Sequence, residues 1–86
     1  AVKAKKLRSS KGFPDLVIYE PRGSYHALFL ELKREGEKIL NKKGDLKTDH
    51  LKEQEEIIHK LCVKGYLACF AIGFDEAKRI IDLYLK

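Results

Sequence analysis

Long apolar runs are missing from this sequence: none approaches the length of a membrane span, and the basic start is not followed by the apolar segment of a signal peptide. Cysteine is also scarce, because Cys62 and Cys69 form neither a CxxC pair nor the dense framework of a small disulfide-stabilised domain. His26, His50 and His59 share no ligand spacing such as HExxH, so no zinc site is predicted. These absences predict a soluble intracellular protein in a reducing compartment, with both cysteines serving as small buried hydrophobic residues.

The charge of the chain is unevenly distributed. No acidic residue precedes Asp15, whereas five basic residues occur within the first eleven positions. They account for the whole formal charge of +5, because residues 12–86 contain thirteen residues of each sign. Such a basic segment suits a polyanion, since each phosphate contact releases condensed counterions. The alternative is a solvated basic arm with no partner.

The apolar pattern predicts one domain with the element order β-β-α-β-α. Two strands are joined by a proline- and glycine-containing turn, and a loop over residues 34–47 then leads to a helix, a third strand and a last helix. Thr48 and Gly65 are predicted to cap the first helix, and Asp75 the second. The helix residues predicted to face the sheet are Leu51, Gln54, Ile58, Leu61 and Cys62 in the first helix and Ala77, Ile80, Ile81 and Tyr84 in the second.

A crossover helix allows the third strand to lie parallel to the second. The predicted fold class is therefore α/β, with a small mixed central sheet flanked by helices. The sequence divides into a basic N-terminal arm, residues 1–11, and a domain, residues 12–86. A chain this short has a small core, which leaves self-association open.

Two acidic residues and a lysine are predicted to meet at the ends of the first two predicted strands. Glu31 and Lys33 project from the same face because side chains alternate along a strand, and pairing with the preceding strand brings Asp15 near Glu31. Two adjacent carboxylates repel unless a cation lies between them, and their oxygens suit Mg²⁺ or Mn²⁺. The alternative is that Asp15 is a turn residue and that Glu31 and Lys33 form an exposed ion pair.

The ordered set of motifs resembles the VRR-NUC branch of the PD-(D/E)xK nucleases. The motifs are Gly12-Phe13-Pro14-Asp15, the later Glu31-Leu32-Lys33, and Gln54 in the following helix, and the resemblance covers about residues 11–86. It implies a restriction-endonuclease-like core in which Asp15, Glu31 and the Leu32 carbonyl bind Mg²⁺ or Mn²⁺. It also implies that Lys33 acts on the attacking water and that Gln54 supports the site from the helix.

The resemblance further implies a structure-specific DNA endonuclease, because stand-alone members of this type, typical of phage and bacteria, look like homodimers that resolve four-way (Holliday) junctions. A cytoplasmic location in a bacterium or phage-infected cell follows. Relatives usually carry an acid on a helix before the G-x-P-D motif, so either that helix lies upstream or this is a minimal form. Open alternatives are a non-catalytic DNA-binding module and a fragment of a larger repair nuclease. The predicted DNA-binding residues are Lys3, Lys5, Lys6, Arg8, Lys11, Lys42 and Lys43.

Overall fold

The computed structural model describes residues 3–6 and 12–86, which form a mixed four-stranded sheet with two helices. The predicted α/β class, a small mixed sheet flanked by helices, is confirmed. No helix in the described part of the chain is long and apolar enough to cross a membrane. The elements in chain order are β1 (Lys3–Lys6), β2 (Leu16–Tyr19), β3 (Leu28–Lys33), α1 (Asp49–Val63), β4 (Leu67–Ile72) and α2 (Phe74–Leu85).

The strands lie in the order β1-β2-β3-β4, so that β3 is central and β4 forms one edge. Strands β2 and β3 are antiparallel, with Leu16 opposite Leu30 and Ile18 opposite Leu28. Strands β3 and β4 are parallel, with Glu31 opposite Phe70, because α1 carries the chain back across the sheet. The parallel arrangement expected from the crossover helix is confirmed.

Strand β1 was not predicted, because the sequence favoured a loop or arm throughout residues 1–11. Residues 3–6 instead pair antiparallel with β2, from Lys3 opposite Tyr19 to Lys6 opposite Leu16. The sequence Lys-Ala-Lys-Lys contains no apolar alternation, so only backbone pairing defines this strand. Its lysine-rich composition is typical of edge strands, where charge discourages pairing with other chains.

Helix α2 covers the larger part of the core. Ile18, Leu28, Leu30, Ala71 and Tyr84 are buried together, and the predicted α2 stripe packs against them as expected. The hydroxyl of Tyr84 also donates a hydrogen bond of 2.6 Å to the carbonyl of Glu20.

The predicted start of α2 at an Asp75 cap was wrong. The cap residue is Gly73, and Asp75 lies inside the first turn, where no side-chain capping bond forms. Glu76 lies near the same helix end, and its carboxylate accepts the backbone N–H of Ile72 at 3.3 Å. The glycine allows a φ of +85° at the strand-to-helix turn, and the helix starts two residues earlier than the capping pattern indicates.

Helix α1 covers the opposite face of the sheet. As predicted, Thr48 caps its start by accepting the N–H of Leu51 at 3.1 Å. At its end the cap residue is Lys64 rather than the predicted Gly65, which follows it with a φ of +95°. Leu51 and Gln54 are buried beneath it. Cys62, however, is exposed rather than buried, because the last turn of α1 lies over the edge strand β4.

Residues 34–47 were predicted as a loop, and they contain a small structured hairpin. Leu40 and Leu46 form an isolated antiparallel bridge, and the N–H of Lys47 donates to the carbonyl of Ile39 at 2.8 Å. We call residues 39–47 the 39–47 hairpin. Because it contains a single bridged pair, it lacks the alternating apolar residues by which longer hairpins are recognised in a sequence.

Gly65→Ala is expected to lower the free energy of unfolding by about 2 kcal/mol, because two unfavourable effects combine. The left-handed backbone disfavours any β-carbon, and this one would lie 2.9 Å from the imidazole of His26. The matched control is Gly23→Ala, where φ is +57° and no atom lies within 4 Å. Urea denaturation should give a larger loss at position 65 than at position 23, and adding His26→Ala should recover part of the difference. Equal losses at the two glycines would contradict the steric argument.

Candidate active site

Asp15 is held against β3 by two hydrogen bonds of opposite direction. Its backbone N–H donates to the carbonyl of Leu30 at 3.1 Å, and its Oδ2 accepts the backbone N–H of Leu32 at 3.0 Å. Continuing the strand register by one position from the pair Leu16 and Leu30 places Asp15 opposite Glu31. The hairpin pairing therefore brings the two acidic residues to one end of the sheet.

Glu31, Lys33 and Gln54 form a connected polar network beneath α1. The amide nitrogen of Gln54 donates to Glu31 Oε1 at 2.8 Å, and the Lys33 Nζ donates to the amide oxygen of Gln54 at 2.9 Å. Lys33 Nζ also lies 3.9 Å from Glu31 Oε1. Glu31 and Gln54 are each only 4% exposed, so the alternative of an exposed ion pair does not describe this arrangement.

The carboxyl group of Glu31 is electrostatically unusual. Burial, followed by the neighbouring Asp15 carboxylate, raises the pKa of Glu31 to about 7, while the positive charge of Lys33 opposes the shift. Its Oε2 is buried and, when ionised, has no hydrogen-bond partner among the described residues. A protonated Glu31 can donate to Asp15, whereas two ionised carboxylates have no donor between them. The pair therefore favours either a shared proton or a cation.

The donor set at this corner fits a hard divalent cation. Two carboxylates, one with a buried oxygen free of hydrogen bonds, lie beside the backbone of Leu32, and oxygen ligands of this kind suit Mg²⁺ or Mn²⁺. Within residues 3–6 and 12–86, no group of three or more His, Cys, Asp or Glu side chains is placed to hold a metal. A cation here would thus rely on two side chains, a backbone carbonyl, water and substrate.

The structure brings together five of the predicted site residues: Asp15, Glu31, Leu32, Lys33 and Gln54. Their catalytic and metal-binding roles remain predictions. The predicted DNA-binding residues either belong to no hydrogen bond of this cluster or lie outside the described residues. Lys42 and Lys43 are exposed in the 39–47 hairpin. The side chains of Lys3, Lys5 and Lys6, and the whole of Arg8 and Lys11, lie outside the described residues.

One neighbour of the site was missed in the sequence. The ring of Phe70 lies 5.8 Å from Lys33 Nζ, within the range of a cation–π contact. Phe70 belongs to β4, opposite Glu31 in the parallel register. Its apolar run indicated only a buried strand, and the register that aligns it with the site depends on the crossover through α1.

An α/β domain with an acid, a spaced Glu-x-Lys and a helix glutamine at one end of its sheet has the layout of a PD-(D/E)xK nuclease core. Among solved structures, a protein described as "VRR_NUC domain protein" matches over 86% of this chain with 34% sequence identity and a TM-score of 0.68. The predicted resemblance is thereby confirmed, and the fold is that of a VRR-NUC domain. The alignment covers 52% of the solved protein, so this chain corresponds to about half of its length. Neither a comparison with models of protein families nor one with curated proteins gives a match.

Proposed function

We propose that this domain is a metal-dependent DNA endonuclease that hydrolyses phosphodiester bonds. The observation that carries the proposal is the buried network of Glu31, Gln54 and Lys33 beside Asp15. Burying a carboxylate and an ammonium group is unfavourable unless they are well paired, and such groups are concentrated at functional sites. The likeness to a VRR_NUC domain protein supports the same class of reaction.

Asp15, Glu31 and the Leu32 carbonyl are the groups that would hold Mg²⁺ or Mn²⁺. The buried Glu31 Oε2 supports this assignment, because it lacks a hydrogen-bond partner within the described chain and its pKa is raised beside Asp15. A bound divalent cation neutralises negative charge on the phosphate and lowers the pKa of a coordinated water. We therefore propose Mg²⁺ or Mn²⁺ as the cofactor.

The side chains of this chain have separate tasks in the proposed reaction. The water oxygen forms a bond to phosphorus and releases a proton to solvent, while the bond to the leaving sugar oxygen breaks and that oxygen takes up a proton from solvent. Lys33 orients the attacking water and stabilises the negative charge that builds on the phosphate oxygens. Gln54 fixes the Lys33 ammonium through a 2.9 Å hydrogen bond and holds Glu31 through another of 2.8 Å. The buried position of Gln54 limits how far either group can move.

The proposed substrate is branched DNA such as a four-way junction, cut by a homodimer whose two sites nick opposing strands. This part rests on the VRR-NUC resemblance and on the small size of the chain. A surface consistent with self-association is the apolar groove lined by Leu16, Leu32 and Ile81, beside which Phe74 is 77% exposed. Large exposed apolar groups of this kind are often interaction sites.

Cleavage of a synthetic four-way junction tests this proposal, with linear duplex and single-stranded DNA as competing substrates and Mn²⁺ titrated from zero. We expect metal-dependent, symmetric incisions near the branch point and little cutting of linear duplex. Binding without cleavage at any metal concentration would favour the alternative of a non-catalytic DNA-binding module. Degradation of linear DNA without symmetric incisions would keep the nuclease assignment and remove the junction specificity.

A further inference from the structure

The 39–47 hairpin has an excess of positive charge. It contains Lys42, Lys43 and Lys47 and a single acidic residue, Asp45, which gives a formal charge of +2. Residues 12–86 are neutral as a whole, so the remainder of this region carries −2. The 39–47 hairpin therefore stands out electrostatically from the domain that carries it.

The turn of this hairpin is built around the side chain of Asn41. Its Oδ1 accepts the backbone N–H of Lys43 at 2.9 Å and that of Asp45 at 3.0 Å. Its backbone adds two more bonds, because its N–H donates to the Asp45 carbonyl at 2.7 Å and its carbonyl accepts the Gly44 N–H at 3.0 Å. Gly44 has a φ of +84°, which a residue with a side chain rarely adopts. Four hydrogen bonds to one asparagine thus fix the backbone that carries Lys42 and Lys43.

The hairpin is also joined along the chain to two of the elements that carry the candidate active site. It connects the end of β3, which carries Lys33, to the start of α1, which carries Gln54. Asn41 and Asp45 line a shallow cavity together with Lys52 and Glu55 of α1. These two helix residues lie within about 3 Å of Gln54 along the helix axis, at 1.5 Å per residue. The hairpin therefore lies at the same level along α1 as Gln54, on the exposed side of the helix.

We propose that the 39–47 hairpin is a preformed grip for the DNA backbone, in which Lys42 and Lys43 contact phosphates and Asn41 is the positioning residue. The proposal rests on the proposed nuclease function and adds a binding element separate from the chemistry. A fixed turn presents the two ammonium groups without the entropy loss of ordering a free loop on binding. The hairpin governs how tightly DNA is held, and the Glu31 network governs how fast it is cut.

The first test replaces both lysines in the full chain. DNA affinity is measured by fluorescence anisotropy in chelator across a salt series, and cleavage is measured separately with Mn²⁺ at saturating DNA. For Lys42→Ala/Lys43→Ala we expect the slope of log affinity against log salt to become shallower by about 1.8, since each phosphate contact contributes about 0.9. Affinity at 0.1 M salt should fall at least tenfold, and the loss in kcat/KM should exceed the loss in kcat.

The matched control is Lys60→Ala/Lys64→Ala, which removes the same charge from exposed positions at the far end of α1. Its salt slope should stay close to that of the wild type. If the control and the hairpin variant weaken binding equally, only net charge matters and the grip proposal is overturned. An unchanged slope in the hairpin variant, or a wild-type chain that binds no DNA, overturns it as well.

The second test isolates Asn41. Asn41→Ala should raise Kd about three- to tenfold with an unchanged salt slope, because the lysines remain but their turn is no longer fixed. Asn41→Asp retains an acceptor for both N–H groups and should restore the Kd of the wild type. The Kd values are compared after extrapolation to 1 M salt, where the added negative charge contributes little. Amide hydrogen exchange at Lys43 and Asp45 should accelerate in the alanine variant and recover in the aspartate variant. Identical Kd values in all three proteins would remove Asn41 from this role.

These measurements separate the grip from the nuclease proposal. A wild-type chain that cuts DNA while the hairpin variants bind normally keeps the nuclease and rejects the grip. A wild-type chain that never cuts, although its binding depends on Lys42 and Lys43, rejects the nuclease and keeps the grip as a binding surface.

Discussion

Asp15→Asn is expected to lower the cleavage rate at saturating DNA by about a thousandfold while changing DNA affinity only a few-fold. The amide retains the shape of the side chain but removes one of the two negative charges that would hold the cation. Lys33→Met should have an effect of similar size, because it keeps the length of the side chain and removes its ammonium group. Single-turnover cleavage with excess enzyme and Mn²⁺ measures the chemical step directly.

Matched surface variants provide the controls for these two substitutions. Asp82→Asn and Lys64→Met make the same chemical changes at exposed positions away from the site and should leave the rate within twofold. The cleavage rate of Gln54→Leu should lie between those of the site variants and the surface controls. We expect a loss of about 10- to 100-fold, because this change removes a support of the reacting groups rather than the groups themselves. A fully active Asp15→Asn or Lys33→Met variant would refute the assignment of the site.

Glu31→Gln is expected to stabilise the domain in chelator at pH 8 and to flatten the dependence of its stability on pH. The pKa of Glu31 is about 7 in the folded protein against an ordinary value of 4.5, so folding takes up a proton between these pH values. The contribution of Glu31 to stability is therefore greatest below about pH 4.5 and is lost as the pH rises through 7. The expected change is roughly 2 kcal/mol, from 1.36 kcal/mol per pKa unit reduced for solvent screening.

Urea denaturation at pH 5 and pH 8 measures this linkage, with the exposed Glu55→Gln variant as control. The control should retain the pH dependence of the wild type, whereas Glu31→Gln should lose most of it. A further expectation concerns the metal: Mn²⁺ should raise the melting temperature of the wild type more at pH 8 than at pH 5, because the carboxylates must be ionised to bind it. A melting temperature independent of Mn²⁺ at pH 8 would count against the proposed ligands.

The central features of the site follow from short-range rules that can be applied directly to the sequence. Alternation along a strand is enough to place Glu31 and Lys33 on one face, and a hairpin between two apolar strands is enough to bring Asp15 to the same end. The helical period similarly directs Gln54 towards the sheet. The hydrogen bonds by which Gln54 joins Glu31 to Lys33 do not follow from these rules, because they require the helix to be placed over β3.

Other features escaped prediction because their stabilising contacts leave little trace in the pattern of apolar residues. Strand β1 pairs with β2 through its backbone, and its lysine-rich sequence shows no hydrophobic alternation from which a strand could be predicted. The turn of the 39–47 hairpin depends on one asparagine side chain. Cys62 lies on the predicted face of α1, but exposure there depends on which strand forms the edge of the sheet, a property of the whole topology.

Gln54 touches one anionic and one cationic neighbour, and this fixes which chemical groups can occupy its position. A carboxylate at residue 54 would attract Lys33 and repel Glu31, whereas an ammonium group would do the reverse. Only a side chain that donates at one end and accepts at the other satisfies both, and its orientation is then determined by the signs of its neighbours. The primary amide of Gln54 therefore requires a negative neighbour at its nitrogen and a positive neighbour at its oxygen, and it would not stabilise the reverse arrangement.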